Sequence, residues 1–415
     1  MKTSLPRRHR HRSAPSACAP LAPRPWLFAM LSLPLAVQQA MANPQGGTVV
    51  AGSASLHSSG NTLTVQQQTQ RAIINWQSFD IAGGETTRFV QPDSSSAVLN
   101  RVNSGNPSAI YGTLKANGHV YLINPNGVVV GSSGVINTRS FVASTLDVAN
   151  AEFLAGDDLR FVGDSHAAVI NLGHIEAAGG DVFLIAHKVV NEGEILAAGD
   201  AGLAAGSEVV LQAAGDQRIS IKVSAENALV DNKGLIEAAR VQMQAANNNP
   251  YALAINHSGV ARATGVVRRG GRIILSADSG ATEVAGTLQA AGGEIDVLGD
   301  TVQLRDGTRI DVSADDDGGD IRIGGGLQGQ GTDKVASDVQ VDDNVVIDAS
   351  SRELGDGGSV IVWADAHASV GGEIFARGGA QGGDGGFVET SGKDSIDFSV
   401  TVDASAPQGE SGTWL

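Results

Sequence analysis

The sequence predicts an all-β protein that folds as a right-handed parallel β-helix, and three observations predict it. Glycine accounts for 54 of the 415 residues, about twice its usual share. Aromatic residues make up only 4% of the chain, which is too little for one large globular core. The third observation is that two short glycine-led phrases recur from about residue 166 onward. Together they favour many short strands stacked into one solenoid.

The two phrases are short strands in which apolar residues alternate. Gly-Gly-x-(Val/Ile)-x-apolar occurs at residues 179–184, 270–275, 292–297, 318–323 and 357–362, and more weakly at 385–390. Gly-x-(Ile/Leu)-x-Ala occurs at residues 173–177, 193–197, 234–238, 286–290 and 372–376. Such a strand cannot bury its apolar face alone, so the copies must stack coil on coil. A β-sandwich would not need one phrase at this period. Glycine is expected at the corners because it accepts positive φ.

The first 42 residues resemble no later part of the chain and predict a signal peptide of the extended bacterial type. They contain six basic and no acidic residues, then the apolar stretch Trp26–Val37 and a small-residue cleavage site, Ala40-Met41-Ala42. This leader predicts export by the general secretion machinery and a mature chain that begins at Asn43. No apolar run reaches 18 residues, which excludes a membrane-spanning helix.

The charge of the remaining chain narrows the possible partners. Beyond residue 42 there are 22 basic and 44 acidic residues, a net charge of −22. A chain this acidic repels phosphate backbones, so nucleic acid is not an expected partner. Cys18, in the leader, is the only cysteine. The mature chain can therefore form no disulfide, thiolate nucleophile or cysteine-based zinc site.

Residues 43–165 form a first zone of varied sequence, and residues 166–415 form the repeat zone. Within the first zone, Asn124-Pro-Asn-Gly127 lies between two strand-like runs, Val120–Ile123 and Val128–Val130. Pro125 presets φ at the second position of a turn, Asn126 tolerates the third and Gly127 suits the fourth. By itself the tetrapeptide predicts a type I turn and no more.

The surroundings of this turn resemble a known family. The segment Gly118–Gly131 is similar to the N-P-N-G segment of the filamentous-haemagglutinin N-terminal domain, also called the haemagglutination activity or two-partner-secretion domain, of TpsA-type exoproteins. Matching pieces surround it in the expected order at residues 74–79, 98–102, 110–112 and 141–145. The resemblance covers roughly residues 45–165. The repeat zone is similar to the β-helix that follows in such proteins.

The resemblance implies a fold, partners and a site. The domain, residues 43–165, would be a capped β-helix with short extra-helical β-hairpins, recognised by the periplasmic domains of a TpsB-type outer-membrane β-barrel transporter. Asn124, Pro125, Asn126 and Gly127 would belong to a segment needed for export, either as a turn that shapes the fold or as a contact surface. The product would be secreted or held at the bacterial surface by way of the periplasm. Its character would be that of an adhesin or haemagglutinin, with a host cell surface or carbohydrate receptor as a further partner.

The alternative is a carbohydrate-active β-helix enzyme, which needs carboxylates that converge in a groove. Asp296, Asp311 and Asp348 alternate with apolar residues, which predicts an outward, solvated face. No histidine pair has metal-ligand spacing and no catalytic triad is evident, so no catalytic residue, metal or cofactor is predicted. The run Asp315–Asp320 lacks a calcium repeat and is expected to be an acidic, solvated loop.

The end of the sequence, Ser411–Leu415, has no polar cap, whereas family exoproteins continue much further. The sequence therefore predicts a fragment of a longer exoprotein. It leaves open whether the region beyond is adhesive, haemolytic, haem-scavenging or toxic.

Overall fold

The computed structural model describes residues 43–215, 217–265, 270–331 and 334–415. The expected signal peptide, residues 1–42, lies outside the described residues. Three long sheets, here named A, B and C, account for most of the described chain. Each coil contributes one strand to sheet B, one to sheet C and one to sheet A, in that order; Val128–Val130, Val135–Thr138 and Ser140–Ser144 form one such coil.

Sheets A and C have fourteen strands each and sheet B has eleven, counted over the described residues. Sheet A contains Thr48–Ala51, Arg71–Trp76, Ala97–Val102, His119–Ile123, Ser140–Ser144, Val182–Ala186, Asp200–Ala205, Arg240–Ala246, Arg272–Ser279, Glu294–Leu298, Asp320–Ile323, Ser359–Ala364, Phe387–Gly392 and Thr413–Trp414. Sheet B contains Ser108–Ile110, Val128–Val130, Ala168–Asn171, Lys188–Asn191, Leu229–Asn232, Leu253–His257, Ala281–Val284, Thr301–Leu304, Asp338–Val341, His367–Val370 and Ser395–Phe398. Sheet C contains Ala54–Ser59, Thr62–Gln67, Thr86–Val90, Thr113–Ala116, Val135–Thr138, His174–Ala177, Glu194–Ala197, Leu235–Ala238, Val260–Ala263, Thr287–Gln289, Arg309–Asp311, Val346–Asp348, Glu373–Phe375 and Thr401–Asp403.

Parallel pairing from coil to coil confirms the predicted parallel β-helix. The second repeated phrase places its Ile or Leu in one inward column of sheet C, where Ile175 pairs with Ile195 and Ile195 with Ile236. The first phrase does the same in sheet A, where Ile273 pairs with Ile295. These side chains are fully buried in a single core cluster that runs from coil to coil. The apolar residues that alternate along each repeated phrase are therefore the ones that point into the core.

Many of the corner glycines are required by close packing between coils, not by positive φ as expected from the sequence. A Cβ at Gly193 would lie 2.2 Å from the carbonyl oxygen of Gly173, and one at Gly234 would lie 2.0 Å from that of Gly193. Neither Gly193 nor Gly234 has a positive φ. The backbone of each corner thus rests directly on the corner before it, which leaves no space for a side chain.

The expected cap and extra-helical elements are also present. At the start, Thr48–Ala51 pairs antiparallel with Arg71–Trp76 of sheet A, and Ala54–Ser59 pairs antiparallel with Thr62–Gln67 of sheet C. An outer layer is formed by the antiparallel strands Asp147–Val148, Leu159–Val162, Glu208–Leu211 and Ile219–Val223, together with the helix Asn150–Ala155. Its residues Phe153 and Phe161 pack with Phe183 on the outer face of sheet A. Arg71 holds it by donating to the Phe153 carbonyl oxygen at 2.6 Å.

A polar ladder crosses the core side of sheet B. Asn171, Asn191 and Asn232, here called the asparagine ladder, occupy one column of consecutive coils, and His257 follows Asn232 in the same column. Asn171 Nδ2 donates to Asn191 Oδ1 at 2.8 Å, and Asn191 Nδ2 donates to Asn232 Oδ1 at 2.7 Å. All four side chains are buried. Each buried side-chain amide therefore has a hydrogen-bond partner on a neighbouring coil, inside an otherwise apolar interior.

Outside the sheets, the described residues include a short 3-10 turn, Leu327–Gly329. None of the helices formed by the described residues has the length and apolar character needed to cross a membrane.

Candidate functional site

Asn124-Pro-Asn-Gly127 forms the turn that its sequence predicts, at the corner between sheets A and B. The amide of Gly127 donates to the carbonyl oxygen of Asn124 at 3.0 Å, which closes a four-residue turn. The side-chain Oδ1 of Asn124 accepts the amide of Asn126 at 2.9 Å. Pro125 and Asn126 are exposed, whereas Asn124 and Gly127 are buried. Two residues of the turn therefore lie at the surface and two in the interior.

The buried side chain of Asn124 also binds the preceding coil. Its Nδ2 donates to the carbonyl oxygen of Asn106 at 3.0 Å and to the Ser108 hydroxyl at 3.0 Å. Because Asn124 has no solvent exposure, each of these bonds replaces water that the amide gave up on folding. The side chain thus fixes the turn and joins two coils at once.

Asn126 and Pro125 extend the contacts in both directions. Asn126 Nδ2 donates to the carbonyl oxygen of Ser104 at 2.6 Å, on the preceding coil. The Ser165 hydroxyl, which precedes the next coil, donates to the carbonyl oxygen of Pro125 at 2.5 Å. The turn is thus connected to the coil on either side of it, although none of its own side chains is charged.

Ser104, Asn106, Ser108 and Ser165 complete the site, and the motif alone did not reveal them. A signal for three of them was present in the sequence. Val128 pairs with Ser108, which places Asn106-Pro107 one coil before Asn126-Gly127. Aligning the coils would have placed this second Asn-Pro pair against the motif. Ser165 has no such signal, because it lies in the connection after the outer layer.

Gly127 is the position of the turn where the backbone requires glycine. Its φ is +113°, in the region that side-chain-bearing residues rarely adopt. A Cβ there would also lie 3.2 Å from the carbonyl oxygen of Ala168 on the next coil. The backbone therefore explains why glycine, which the sequence analysis found suited to the fourth position, is required there.

Replacing Gly127 with Val is expected to lower the free energy of unfolding by about 2–3 kcal/mol, because a β-branched residue must adopt a disfavoured φ beside a neighbouring carbonyl. Equilibrium unfolding in urea measures this change. Gly83→Ala is a matched control, since Gly83 has no positive φ and nothing lies within 4 Å of a Cβ built there. Equal stability of the Gly127→Val and Gly83→Ala variants would show that the φ of Gly127 is not a constraint.

The carboxylates considered for catalysis face outward, but the structure corrects the expectation of a solvated face for two of them: Asp296 and Asp311 are buried, and Asp348 is half-buried. Asp296 is only 1% exposed. Arg272 Nη2 lies 3.0 Å from Asp296 Oδ2, and Arg322 Nε lies 2.7 Å from Asp296 Oδ1. Both arginines also bind Glu294. The cause of the burial is that long arginine side chains from the flanking coils cover the shorter aspartate.

Asp311 and Asp348 serve local structure in the same column of sheet C. Asp311 is 5% exposed, pairs with Arg309 at 2.8 Å and accepts the Ser313 amide at 3.0 Å. Asp348 accepts the Ser350 amide at 3.0 Å. In the acidic loop, Asp317 accepts the amide of Asp356 on the next coil at 2.9 Å. These carboxylates are acceptors for backbone amides and for arginines.

The structure brings together two histidines whose spacing in the sequence did not suggest a pair. The rings of His166 and His187 are in edge-to-face contact, with centroids 4.7 Å apart. Burial and the neighbouring His166 lower the pKa of His187 below its ordinary value. Within the part of the chain that the structure describes, no group of three or more His, Cys, Asp or Glu residues is arranged to hold a metal ion.

Comparison with known proteins identifies the family. Residues 40–290, more than half of the chain, match the family described as the TPS secretion domain. The chain belongs to the TPS secretion domain family. It is therefore the secretion domain of a two-partner secretion exoprotein, as the motif-based resemblance indicated. The matched region contains the cap, the outer layer and the Asn124–Gly127 turn.

Individual relatives agree with the family. A heme/hemopexin-binding protein of Haemophilus influenzae is 37% identical over 248 residues, which cover 57% of this chain and 27% of that protein. A second protein of the same description and species is 39% identical over 106 residues, 25% of this chain and 11% of its own length. The chain thus spans about a quarter or less of these relatives.

A solved structure confirms the right-handed parallel β-helix of this TPS secretion domain. The crystal structure of the HMW1 secretion domain from Haemophilus influenzae superposes with a TM-score of 0.78 at 33% identity. The match covers 89% of this chain and all of the solved one. The division at residue 165 stays a prediction, and the three sheets run through it without interruption.

Proposed function

We propose that this secretion domain carries an adhesin-like binding exoprotein across the outer membrane through a cognate TpsB-type transporter, which recognises the first coils by its periplasmic domains. The family match over residues 40–290 carries the proposal. The exported product reaches the cell surface or the medium by way of the periplasm, after general secretion removes residues 1–42. There it binds a host surface or carbohydrate receptor.

The transporter dependence has a direct test. The chain, produced from its own gene in a strain with the cognate transporter, should appear at the surface or in the medium. In an otherwise identical strain without the transporter it should stay in the periplasm, because a folded β-helix has no route through the outer membrane. Immunoblots of the medium, surface and periplasm measure the distribution. Equal amounts outside the cell in both strains would contradict the proposal.

We further propose that Asn124, Pro125, Asn126 and Gly127 act in export by shaping the first coils, not as a contact surface. Support comes from the burial of Asn124 and Gly127 and from the bonds of the turn to both neighbouring coils. A turn that joins three coils would favour the earliest step of coil stacking. The exposed side of the turn contributes only Pro125 and part of Asn126.

Export yield and stability should therefore change together in this turn. Asn124→Ala is expected to lower both the secreted amount and the melting temperature of the purified chain, since it removes the buried contacts. Pro125→Ala removes an exposed ring that donates no hydrogen bond, and should leave both nearly unchanged. If Pro125→Ala abolished export without changing the melting temperature, the turn would be a contact surface and the proposal would fail.

We propose a binding role and not an enzymatic one. Glu294 and Asp296, two neighbouring carboxylates on the outer face of sheet A, are both paired with Arg272 and Arg322. A glycosidase needs one carboxyl group that releases a proton and one that stays free to attack or to activate water. Because Glu294 and Asp296 are held by the same two arginines, neither is free to release a proton, to attack or to activate water. This supports the binding role.

A further inference from the structure

The charge of this chain is divided sharply along the β-helix. Residues 43–145, which form the cap and the first coils, contain five basic and three acidic residues. Residues 146–415 contain 17 basic and 41 acidic residues. The first coils are therefore slightly cationic, whereas the rest has a net charge of −24. A partner with an acidic surface would be attracted to the first coils and repelled by the later part taken as a whole, although its residues 240–277 contain five arginines and no acidic residue.

The cations of the two parts also differ in their partners. Beyond residue 146, every arginine that the structure describes lies within 4.0 Å of a carboxylate, and only Lys188 and Lys222 among the described cations do not. Of the five basic residues in the first coils, only Arg101 has such a partner, Asp147. The three acidic residues of these coils bind elsewhere: Asp80 accepts the Ala109 amide, Glu85 the Ala82 amide, and Asp93 the Gln70 side chain.

Two of the unpaired cations lie side by side. Arg88 and Lys115 are directly opposite each other in neighbouring parallel strands of sheet C, and both are exposed. Neither side chain has a hydrogen bond or ion pair with any described residue. Like charges at directly opposite positions destabilise a sheet. Further along the same column of sheet C, opposite residues carry opposite charges, since Arg262 pairs with Glu237 at 2.8 Å.

The surface around Arg88 and Lys115 is a shallow groove of about 590 Å³ on the outer face of sheet C. Thr62, Thr86, Asn117 and Asn137 line it together with the two cations. Its lining is thus cationic and rich in hydroxyl and amide groups, which are the groups that bind carboxylates. No carboxylate of the described chain occupies it.

We infer that this groove is the docking surface for an acidic face of the transporter's periplasmic domains, with Arg88 and Lys115 as its charged contacts. The inference rests on the proposed transporter function and specifies which surface is recognised. Because no carboxylate lies near Arg88 and Lys115, their mutual repulsion lowers the stability of the free chain. Carboxylates of the partner would neutralise the two charges on binding, which favours the complex. The net negative charge of residues 146–415 disfavours docking there, and the described arginines of the basic stretch 240–277 are already paired with carboxylates.

The test uses the exported chain, residues 43–415, and the purified cognate transporter in detergent, with the dissociation constant measured by biolayer interferometry. The Arg88→Glu/Lys115→Glu double variant should bind at least about tenfold more weakly at low salt. For the wild type, raising the salt from about 50 to about 300 mM should weaken binding, and the double variant should lose most of this dependence. The double variant Lys188→Glu/Lys222→Glu is the matched control, because it reverses two exposed lysines outside the first coils and changes the net charge equally. It should bind within about twofold of the wild type.

The outcomes separate the inference from the proposed function. If the wild-type chain does not bind the transporter at all, the proposed function fails. If the wild type binds and both double variants bind equally well, the transporter function stands and the docking surface is wrong. Sedimentation of the free chain is the third measurement. If reversing Arg88 and Lys115 abolished a self-associated form and left transporter binding unchanged, the groove would belong to a contact between copies, and the inference would be overturned.

Discussion

Acidification from pH 7 to pH 4 is expected to lower the free energy of unfolding of this chain by about 3 kcal/mol through His257 alone. Burial lowers the pKa of His257 to about 4, from an ordinary value of 6.5. The neutral ring fits its surroundings, since Nδ1 accepts from Asn232 Nδ2 at 3.0 Å and Nε2 donates to the Thr287 carbonyl oxygen at 3.1 Å. A protonated ring would carry a hydrogen on Nδ1, so it could no longer accept the hydrogen bond from Asn232.

The sign follows from proton binding. Above pH 6.5 the folded and unfolded chains both have a neutral histidine here, so the full stability is present. Between pH 6.5 and 4 the unfolded chain binds a proton that the folded chain does not, and stability falls as the pH falls. Urea unfolding at a series of pH values measures the slope.

His257→Asn is the matched control for this prediction. Asparagine occupies the same column in the three preceding coils, so it can accept from Asn232 without titrating. The loss between pH 6.5 and 4 should be smaller in this variant by about 3 kcal/mol, with the remaining slope due to other groups such as His119 and His187. Parallel slopes for wild type and variant would mean that His257 is not the group that titrates.

Asn124→Ala is expected to lower the free energy of unfolding by about 2–3 kcal/mol, because it removes one buried amide that makes four hydrogen bonds and leaves partners unsatisfied. The affected groups are the backbone and side-chain amides of Asn126, the Asn106 carbonyl and the Ser108 hydroxyl. The same side-chain cap in an exposed turn would contribute only on the order of 1 kcal/mol. Full burial of the side chain is what increases it.

Asn126→Ala provides the comparison within the same turn. Asn126 is exposed, so its side-chain bond to the Ser104 carbonyl can be replaced by water, and the expected loss is below about 1 kcal/mol. Amide hydrogen exchange at Gly127 and Ser108 should accelerate in the Asn124→Ala variant and much less in Asn126→Ala. If both variants lost the same stability and exchanged alike, burial of Asn124 would not be the cause.

The sequence was most informative where structure depends on neighbours along the chain. The inward columns of Ile175 and Ile273 follow from period-two alternation, which is a property of a single strand. The Asn124–Gly127 turn, including the need for glycine at its fourth position, follows from local backbone chemistry. Motif order was enough to indicate the family, because five short pieces in sequence are far more specific than one.

Contacts between coils were harder to predict, because the number of residues per coil varies. Phe141 pairs with Val182, across the inserted outer-layer segment, whereas Val182 pairs with Ala201 after far fewer residues. Sequence separation therefore does not give the register between coils. Without the register, the burial of Asp296 beneath Arg272 and Arg322 could not be foreseen, and an outward position was taken to be a solvated one.

The sequence by itself determined the parallel β-helix, the turn and the family, since each is encoded in residues close together in the chain. Only the tertiary structure decided which polar groups meet across coils. It brought Asn124 to Asn106 and Ser108, continued the asparagine ladder into His257, and left Arg88 beside Lys115 without a carboxylate. The physical reason is that in a solenoid the nearest neighbour of a side chain lies one coil away, and insertions of different length decide which residue that is.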